Sequence, residues 1–243
     1  ALCMDFLGIS EHNHATAGMS ISNWQPGRVQ AAAATTSTFV GMYGMEWGTI
    51  SAGGHVIIYG VDSLIGWEAG NYDIFVDKFT YQGTNGLFDR ITRHGNNAIA
   101  YLAHPNTGDY NGLVSAYNAA SDDAVVGSAV ESGPAFSTNT TYTNPATSMS
   151  YLTFGHTAKT RLVVMSPALN ENSLLDGMKK MRFYASQDCS AKLSFTVNTE
   201  PIGSIITRAG APVIALSSTA TTSAITSVSI MSGVPGSGTA ATM

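Results

Sequence analysis

The chain has 243 residues, of which 44% are hydrophobic and only 11% are charged, and its formal net charge is −5. This length suits one large domain or a medium domain with a small module, and the hydrophobic content supports a buried core. The charge argues against nucleic acid as a partner, because the sequence has no basic stripe to neutralise phosphates. No apolar run reaches the length of about 18 residues that a membrane span needs.

The two cysteines, Cys3 and Cys189, are too few for a framework of several disulfides, and no CxxC spacing indicates a thiolate metal site. Cys3 stands at the start of a predicted strand, so we expect it to be a small buried hydrophobic residue. The low charge and the abundance of Ser, Thr, Gly and Ala are common in secreted bacterial proteins. We therefore expect a secreted or periplasmic location. Because Ala1 already lies in a predicted strand, we also expect further sequence upstream.

Residues 1–180 alternate short apolar runs with helical patterns, which predicts an α/β domain with a mostly parallel sheet or a barrel. The predicted strands are "LCMDFLGIS", "STFVGMYGME", "GHVIIYGVD", "NAIAYLAHP", "DAVVGSAVE" and "TRLVVMSP". In the first strand, Leu7 and Ile9 are typical of a strand buried on both faces.

Two helical patterns lie between these strands. "GLFDRITRHG" places Leu87, Phe88 and Ile91 on one face, and "NENSLLDGMKKM" follows possible N-caps at Asn170 and Asn172. The second pattern places four further apolar residues on one face, namely Leu174, Leu175, Met178 and Met181.

Residues 181–243 have a different character, with short strand patterns at turn-length spacing and no helical pattern between them. This arrangement predicts a small all-β sandwich module packed on the first domain.

Histidines and one glutamate stand at the ends of the predicted strands. The first strand ends in Glu11, His12, Asn13 and His14. Ligands and catalytic groups lie at the carboxyl ends of strands in open α/β sheets and barrels. Two imidazoles at such a place favour metal binding or acid–base chemistry, although a solvated loop with incidental histidines fits this stretch equally well.

The next strands repeat this pattern. Glu46 follows the second strand, His55 opens the third after a Gly-Gly turn, and His104 ends the fourth before a proline. Mixed nitrogen and oxygen donors suit Zn, Mn or Fe. A single strand-end histidine is more commonly structural, and Glu46 could instead pair with Arg93 or Lys159. The sequence has no GxSxG, P-loop or GxGxxG motif, so serine hydrolase, NTPase and dinucleotide-binding functions have no local support.

Four motifs in this order, "DFLGISEHNH", "GMEWG", "GGHVIIYG" and "AYLAHP", resemble the successive motifs of the PHP (polymerase and histidinol phosphatase) superfamily, and more narrowly its carbaryl-hydrolase-like branch of metallohydrolases. The resemblance covers about residues 2–205. It implies a distorted (β/α)7, TIM-like barrel over residues 1–180 that holds two or three divalent metal ions, followed by the β-sandwich over 181–243.

The resemblance also assigns site residues. His12, Glu46, His55 and His104 match metal ligands of the family, with Glu46 as the carboxylate that bridges two cations and with Glu46 and His12 at the catalytic centre. His14 lies outside the matched pattern. The sequence lacks the family's opening His-x-His motif, which should precede residue 1, and its late Asp-x-His motif, which should lie near residue 152. We therefore expect an N-terminal strand and a segment near residue 152 to be missing from it. Asp188 is a possible substitute ligand, although in the resembling branch this acid belongs to the junction with the β module.

The resemblance implies a metal-dependent hydrolase that acts on a small-molecule substrate through a metal-activated water. The bond cleaved is a phosphoester, as in most of the superfamily, or an ester, amide or carbamate, as in the narrower branch. The sequence has no cluster of Arg and Lys for a phosphate-rich substrate, which favours a neutral one. The alternative is a secreted or surface binding protein whose PHP-like barrel has lost catalysis. The oligomeric state is not predicted.

Overall fold

A computed structural model of the chain describes residues 3–13, 18–49, 52–95, 97–103, 109–110, 118–130, 153–155, 161–186, 188–222, 224–233 and 242–243. The helices are α1 (Ile21–Ala34), α2 (Leu87–His94), α3 (Ala119–Ala124) and α4 (Glu171–Lys179). The strands are β1 (Phe6–His12), β2 (Val40–Thr49), β3 (Ala52–Tyr59), β4 (Ile65–Gly66), β5 (Ile74–Phe75), β6 (Ile99–Ala103), β7 (Val125–Val130), β8 (Thr153–Gly155), β9 (Arg161–Val164), β10 (Phe183–Ser186), β11 (Lys192–Val197), β12 (Glu200–Pro201) and β13 (Ile214–Thr219).

The largest sheet has six strands in the order β1-β2-β3-β6-β7-β8. β1 and β2 are parallel, as are β6, β7 and β8, whereas β3 runs antiparallel to both of its neighbours. Only two residues separate β2 from β3, and a parallel crossover needs a dozen or more. The described chain is therefore mixed and mostly β. The prediction of a (β/α)7, TIM-like barrel is wrong, because this sheet ends at β1 and β8 without closing.

The sheet buries apolar side chains on both faces. On one face, Trp47 and Ile58 pack with Trp24 of α1, and the same cluster includes the buried faces of α2 and α3. On the other face, Ile57 and Ile99 pack against α4. The residues of α2 and α4 that the periodicity predicted to be buried lie in these two cores, apart from Met181, which follows α4 and is half-buried. Asn170 caps α4 as predicted, accepting a hydrogen bond from the backbone of Ser173.

β1 is an edge strand, which changes the expected burial of its side chains. Leu7 and Ile9 are each 46% exposed, so the prediction that they are buried is wrong. Phe6, which points to the other face, packs against the α4 side of the sheet. Side chains alternate along a strand, and among the described residues of β1 only Phe6 packs against a hydrophobic core.

The C-terminal region contains two small antiparallel sheets. β9 and β10 pair across the predicted boundary at residue 180, and β11 lies between β12 and β13. The described part of residues 181–243 does not form the second sheet of a sandwich. Val228 and Met231, in the segment after β13, are 56% and 57% exposed. The predicted β-sandwich is therefore wrong, while the domain boundary itself stays a prediction.

Cys3 and Cys189 form a disulfide, with Cα atoms 5.9 Å apart and a sequence separation of 186 residues. Cys3 is also exposed, so the prediction that it is a small buried hydrophobic residue is wrong. The bond joins the segment before β1 to the segment between β10 and β11. Within the described ranges, no helix is both long enough and apolar enough to cross a bilayer.

Candidate metal centre

Three of the four predicted ligands lie close together where β1 and β2 end and β3 begins. Glu46 Oε1 lies 2.9 Å from His55 Nδ1 and 3.4 Å from His12 Nε2. The donor atoms of the three side chains all lie within 4.8 Å of one another. The side chains of Glu46 and His55 are 12% and 11% exposed, whereas that of His12 is 49% exposed. The cluster is therefore buried on its inner side and opens to solvent past His12.

The strand register explains this convergence. His12 and Glu46 are direct cross-strand partners in the parallel pair β1–β2. The chain reverses at the β2–β3 hairpin, so the start of β3, with His55, lies beside the ends of β1 and β2. Ala103, the last residue of β6, is the partner of His55. His104 and His14 lie outside the described residues, so the role of His104 as a ligand stays a prediction.

A glycine in a bulge makes room for the His55 ring. The β2–β3 register shifts between Trp47 and Thr49, and Gly48 lies there with a φ of 147°. A Cβ atom at Gly48 would stand 2.5 Å from Cδ2 of His55, well inside van der Waals contact. The Gly48 carbonyl accepts a hydrogen bond of 2.9 Å from Trp67 Nε1, which holds the bulge in place.

The tautomer of His55 follows from its two hydrogen-bond partners. Nε2 lies 2.6 Å from the Thr49 carbonyl oxygen, which can only accept, so Nε2 carries the proton. Nδ1 then faces Glu46, either as a donor or as a lone pair available to a cation. Metal-binding histidines typically donate their other N–H to a backbone carbonyl or carboxylate, which fixes the ring. The Thr49 carbonyl accepts a hydrogen bond from Nε2–H of His55 in this way, which leaves Nδ1 as the possible ligand atom.

Donor chemistry and spacing fit a divalent cation of the Zn, Mn or Fe class. In a tetrahedral site with bonds of about 2.0–2.1 Å, ligand atoms stand about 3.4 Å apart. The His12–Glu46 distance matches this spacing. The shorter His55–Glu46 distance is that of a hydrogen bond, and a cation binding between these atoms would take the place of that proton. Two imidazole nitrogens and one carboxylate oxygen are donors that all three metals accept.

The metal-free protein should lose stability as the pH rises through the pKa of His55. The hydrogen bond to Glu46 raises this pKa above its ordinary value of 6.5, although burial acts in the opposite direction. A raised folded pKa adds stability that is complete below the unfolded pKa and disappears as pH rises through the folded one. We expect urea unfolding in a chelator to show a lower free energy at about pH 8 than at about pH 6. In His55→Gln this difference should shrink, and an unchanged slope in that variant would contradict the assignment.

Asn13 is a buried residue that positions two of these side chains. Its relative exposure is 0%, and its backbone N–H donates to the Glu46 carbonyl over 3.0 Å. Its side-chain amide donates to the Ile65 carbonyl at 2.5 Å and accepts from the Gly48 N–H at 3.3 Å. The Tyr72 hydroxyl donates to the Asn13 carbonyl. Asn13 therefore joins the end of β1 to the β2 bulge and to β4.

Two tyrosines support the start of β3 from the core side. The Tyr110 hydroxyl lies 3.0 Å from the carbonyl oxygens of both His55 and Ala103. The Tyr81 hydroxyl donates to the Gly54 carbonyl over 2.7 Å. No sequence pattern pointed to a role for Asn13 or for either tyrosine. A buried polar residue in a loop has no local sequence signature, and both tyrosines lie at least 26 residues away from His55 along the chain.

Two alternatives from the sequence can be compared with the structure. Arg93 pairs with Asp89 at 2.9 Å, so the proposed Glu46–Arg93 pair is wrong; Lys159 lies outside the described residues. Asp188 accepts hydrogen bonds of 2.7 Å from the backbone and the hydroxyl of Ser190. It therefore belongs to the turn between β10 and β11, beside the disulfide, and does not join the candidate metal centre.

Comparison of the chain with protein-family models, curated proteins and solved structures found no match. A function is therefore inferred from the geometry of the candidate metal centre and from the motifs in the sequence.

Proposed function

We propose that this protein is a metal-dependent hydrolase of a small-molecule substrate, with His12, Glu46 and His55 as metal ligands. One observation supports this proposal above the others. Glu46 Oε1 faces both His55 Nδ1 and His12 Nε2, while the Thr49 carbonyl holds the other ring nitrogen of His55. Within the described ranges the cluster offers three protein donors beside the half-exposed His12, and three protein donors are typical of catalytic rather than structural metal sites.

Each residue has a distinct task in this proposal. When bound, a divalent cation would supply Lewis-acid activation of a water molecule and of the scissile group. Glu46 provides the negative charge of the cluster and orients both imidazoles. Thr49 keeps the proton of His55 on Nε2, and the half-exposed His12 lines the entrance. A second or third cation would need ligands such as His104, and stays a prediction.

The resemblance of the four motifs to the PHP superfamily supports the same reaction class, although the fold of the described residues is not the expected barrel. It leaves open whether the bond cleaved is a phosphoester or an ester, amide or carbamate.

We also propose that the protein is secreted or periplasmic. The Cys3–Cys189 disulfide supports this location, because disulfides form and persist mainly in oxidising compartments. The low proportion of charged residues, 11%, favours the same conclusion.

Metal titration tests the proposal directly. The protein is stripped with a chelator and titrated with Co²⁺, whose visible absorption reports tetrahedral nitrogen and oxygen coordination, and with Zn²⁺ in competition with a chromogenic chelator. We expect saturable binding at one site, and metal-dependent hydrolysis of p-nitrophenyl acetate or p-nitrophenyl phosphate. His94→Ala, which removes an imidazole from the end of α2, is the matched control and should bind normally. Absence of saturable binding in the wild type would contradict the proposal.

A binding protein without catalysis is the second candidate. Among the described residues the group contains three donors, fewer than the ligand set of the resembling superfamily, and such an incomplete set fits a site that has lost catalysis. The same titration and hydrolysis assay distinguish the hydrolase from the binding protein, because metal binding without any metal-dependent hydrolysis would favour the binding protein.

A further inference from the structure

Exposed apolar side chains are concentrated in the C-terminal part of the chain. Among the described residues, 17 large hydrophobic side chains are exposed, and ten of them lie at or beyond residue 205. These ten are Ile205, Ile206, Val213, Ile214, Leu216, Ile225, Val228, Ile230, Met231 and Met243. Single exposed apolar residues are ordinary on a protein surface, whereas a group of them in one place is typical of an interaction surface.

Five of these residues surround one cavity. It has a volume of ≈ 410 Å³, lies between the segment 225–231 and the β11–β13 sheet, and is lined by Leu216, Ile225, Val228, Ile230 and Met231. Their exposed fractions range from 37% to 57%. We call these five residues the apolar patch. The segment 225–231 does not fill the apolar face of the sheet, so the face and the segment both have apolar surface left for a partner.

The two edges of this small sheet differ in their protection against a further strand. Proteins protect edge strands by making them short and by placing charges or proline in them. β12, at one edge, consists of Glu200 and Pro201 alone. β13, at the other edge, has six residues without a charge or a proline, and all six are exposed. In the described part of the chain β13 pairs with β11 alone, so its outer edge can accept another strand.

The composition of this region indicates the kind of partner. Residues 205–243 contain one charged residue, Arg208, and no Phe, Trp or Tyr. A membrane-binding surface typically carries basic residues together with aromatic anchors, and a strongly charged partner would need opposite charges. Homodimer interfaces are more apolar than other interfaces, and their centres are poor in charged residues. The apolar patch has the composition of a homodimer interface.

We propose that two copies of this chain form a dimer in which β13 pairs antiparallel with β13 of the second copy. The two-fold axis is perpendicular to the sheet, so the two apolar patches lie side by side on one face of a six-stranded sheet. Because each strand meets its own copy, this pairing closes after two chains. The proposal does not depend on the candidate metal centre, which lies in another sheet.

The exposed surface is large enough for such a dimer. Standard interfaces involve about 20–30 residues from each partner. The structure describes 28 of residues 205–233, all except residue 223, and 27 of the 28 are exposed. At the centre of β13, Leu216 and Ser217 are uncharged. The paired strands therefore avoid the repulsion that like charges directly opposite each other produce.

Sedimentation equilibrium of the full chain across micromolar concentrations tests the proposal. We expect twice the chain mass of 25.4 kDa. Ser217→Lys places a lysine of each copy near the two-fold axis, and it should raise the dissociation constant of the dimer at least about 10-fold. Its metal content should not change. Ser37→Lys, in the exposed turn between α1 and β2, is the matched control and should remain dimeric.

A cross-linking experiment tests the pairing of β13 if the lysine variant does not fold. The two native cysteines are joined in a disulfide, so a cysteine introduced by Ser217→Cys is the one thiol open to a short bismaleimide. We expect a covalent dimer from Ser217→Cys and none from Ser37→Cys.

Four outcomes would overturn the proposal. The first is a monomer at every concentration. The second is a dimer that Ser217→Lys does not weaken and that Ser217→Cys does not cross-link. The third is an open series of larger species, which would show that the contact does not close. The fourth is a monomer that co-sediments with phosphatidylcholine vesicles, which would assign the apolar patch to a membrane.

Discussion

Replacing Glu46 by glutamine should abolish hydrolysis and lower the affinity for Zn²⁺ on the order of 100-fold or more, since even residues that only support metal ligands contribute 10–100-fold. Glutamine keeps the shape of the side chain but removes the negative charge that faces both imidazoles. It also replaces one acceptor oxygen by an NH₂ group, which cannot bind a cation. Metal content is measured by elemental analysis and affinity by competition with a chromogenic chelator.

Glu11→Gln is the matched control for this variant. Glu11 precedes His12 in β1 but points to the opposite face of the strand and is exposed. The control should therefore keep its metal and its activity. Glu46→Gln protein with unchanged metal content and activity would end the proposed role of this residue, and the proposed function with it.

Removing the disulfide should lower the free energy of unfolding more than any other substitution proposed for this protein. The Cys3–Cys189 bond closes a loop with a sequence separation of 186 residues, and in the chain-entropy description a loop of this size stabilises the folded protein by about 3–5 kcal/mol. The double substitution Cys3→Ser with Cys189→Ser should lower the free energy of unfolding by this amount, measured by urea denaturation. We expect reduced wild-type protein to behave in the same way.

This experiment also reports on the metal centre. Cys3 precedes β1, and the far end of the same edge strand carries His12. Loosening the start of β1 should therefore weaken metal binding less than Glu46→Gln does, because Asn13 still joins the end of β1 to β2. Equal unfolding free energies for the oxidised and reduced wild type would show that the bond does not constrain the chain.

Local patterns in the sequence were sufficient for several features. The helical spacing of Leu87, Phe88 and Ile91 predicted which face of α2 is buried, because a helix turns by a constant angle per residue. Asn170 was recognised as a cap since its side chain can bond the backbone of the first turn. The placement of His12 and Glu46 at strand ends predicted that they meet, and the parallel register of β1 and β2 brings them together.

Only the tertiary structure decided the remaining features, because each depends on which distant segments become neighbours. The reversal of β3 prevents the predicted parallel arrangement yet brings His55 to Glu46. The exposure of Leu7 and Ile9 depends on β1 lying at an edge, and the strand pattern is the same at an edge or in the centre of a sheet. The partner of Cys3, the burial of Asn13 and the Thr49 carbonyl that fixes His55 are likewise set by contacts between backbone segments. Side-chain periodicity reports the local conformation of a segment, but it does not identify the segment that packs against it.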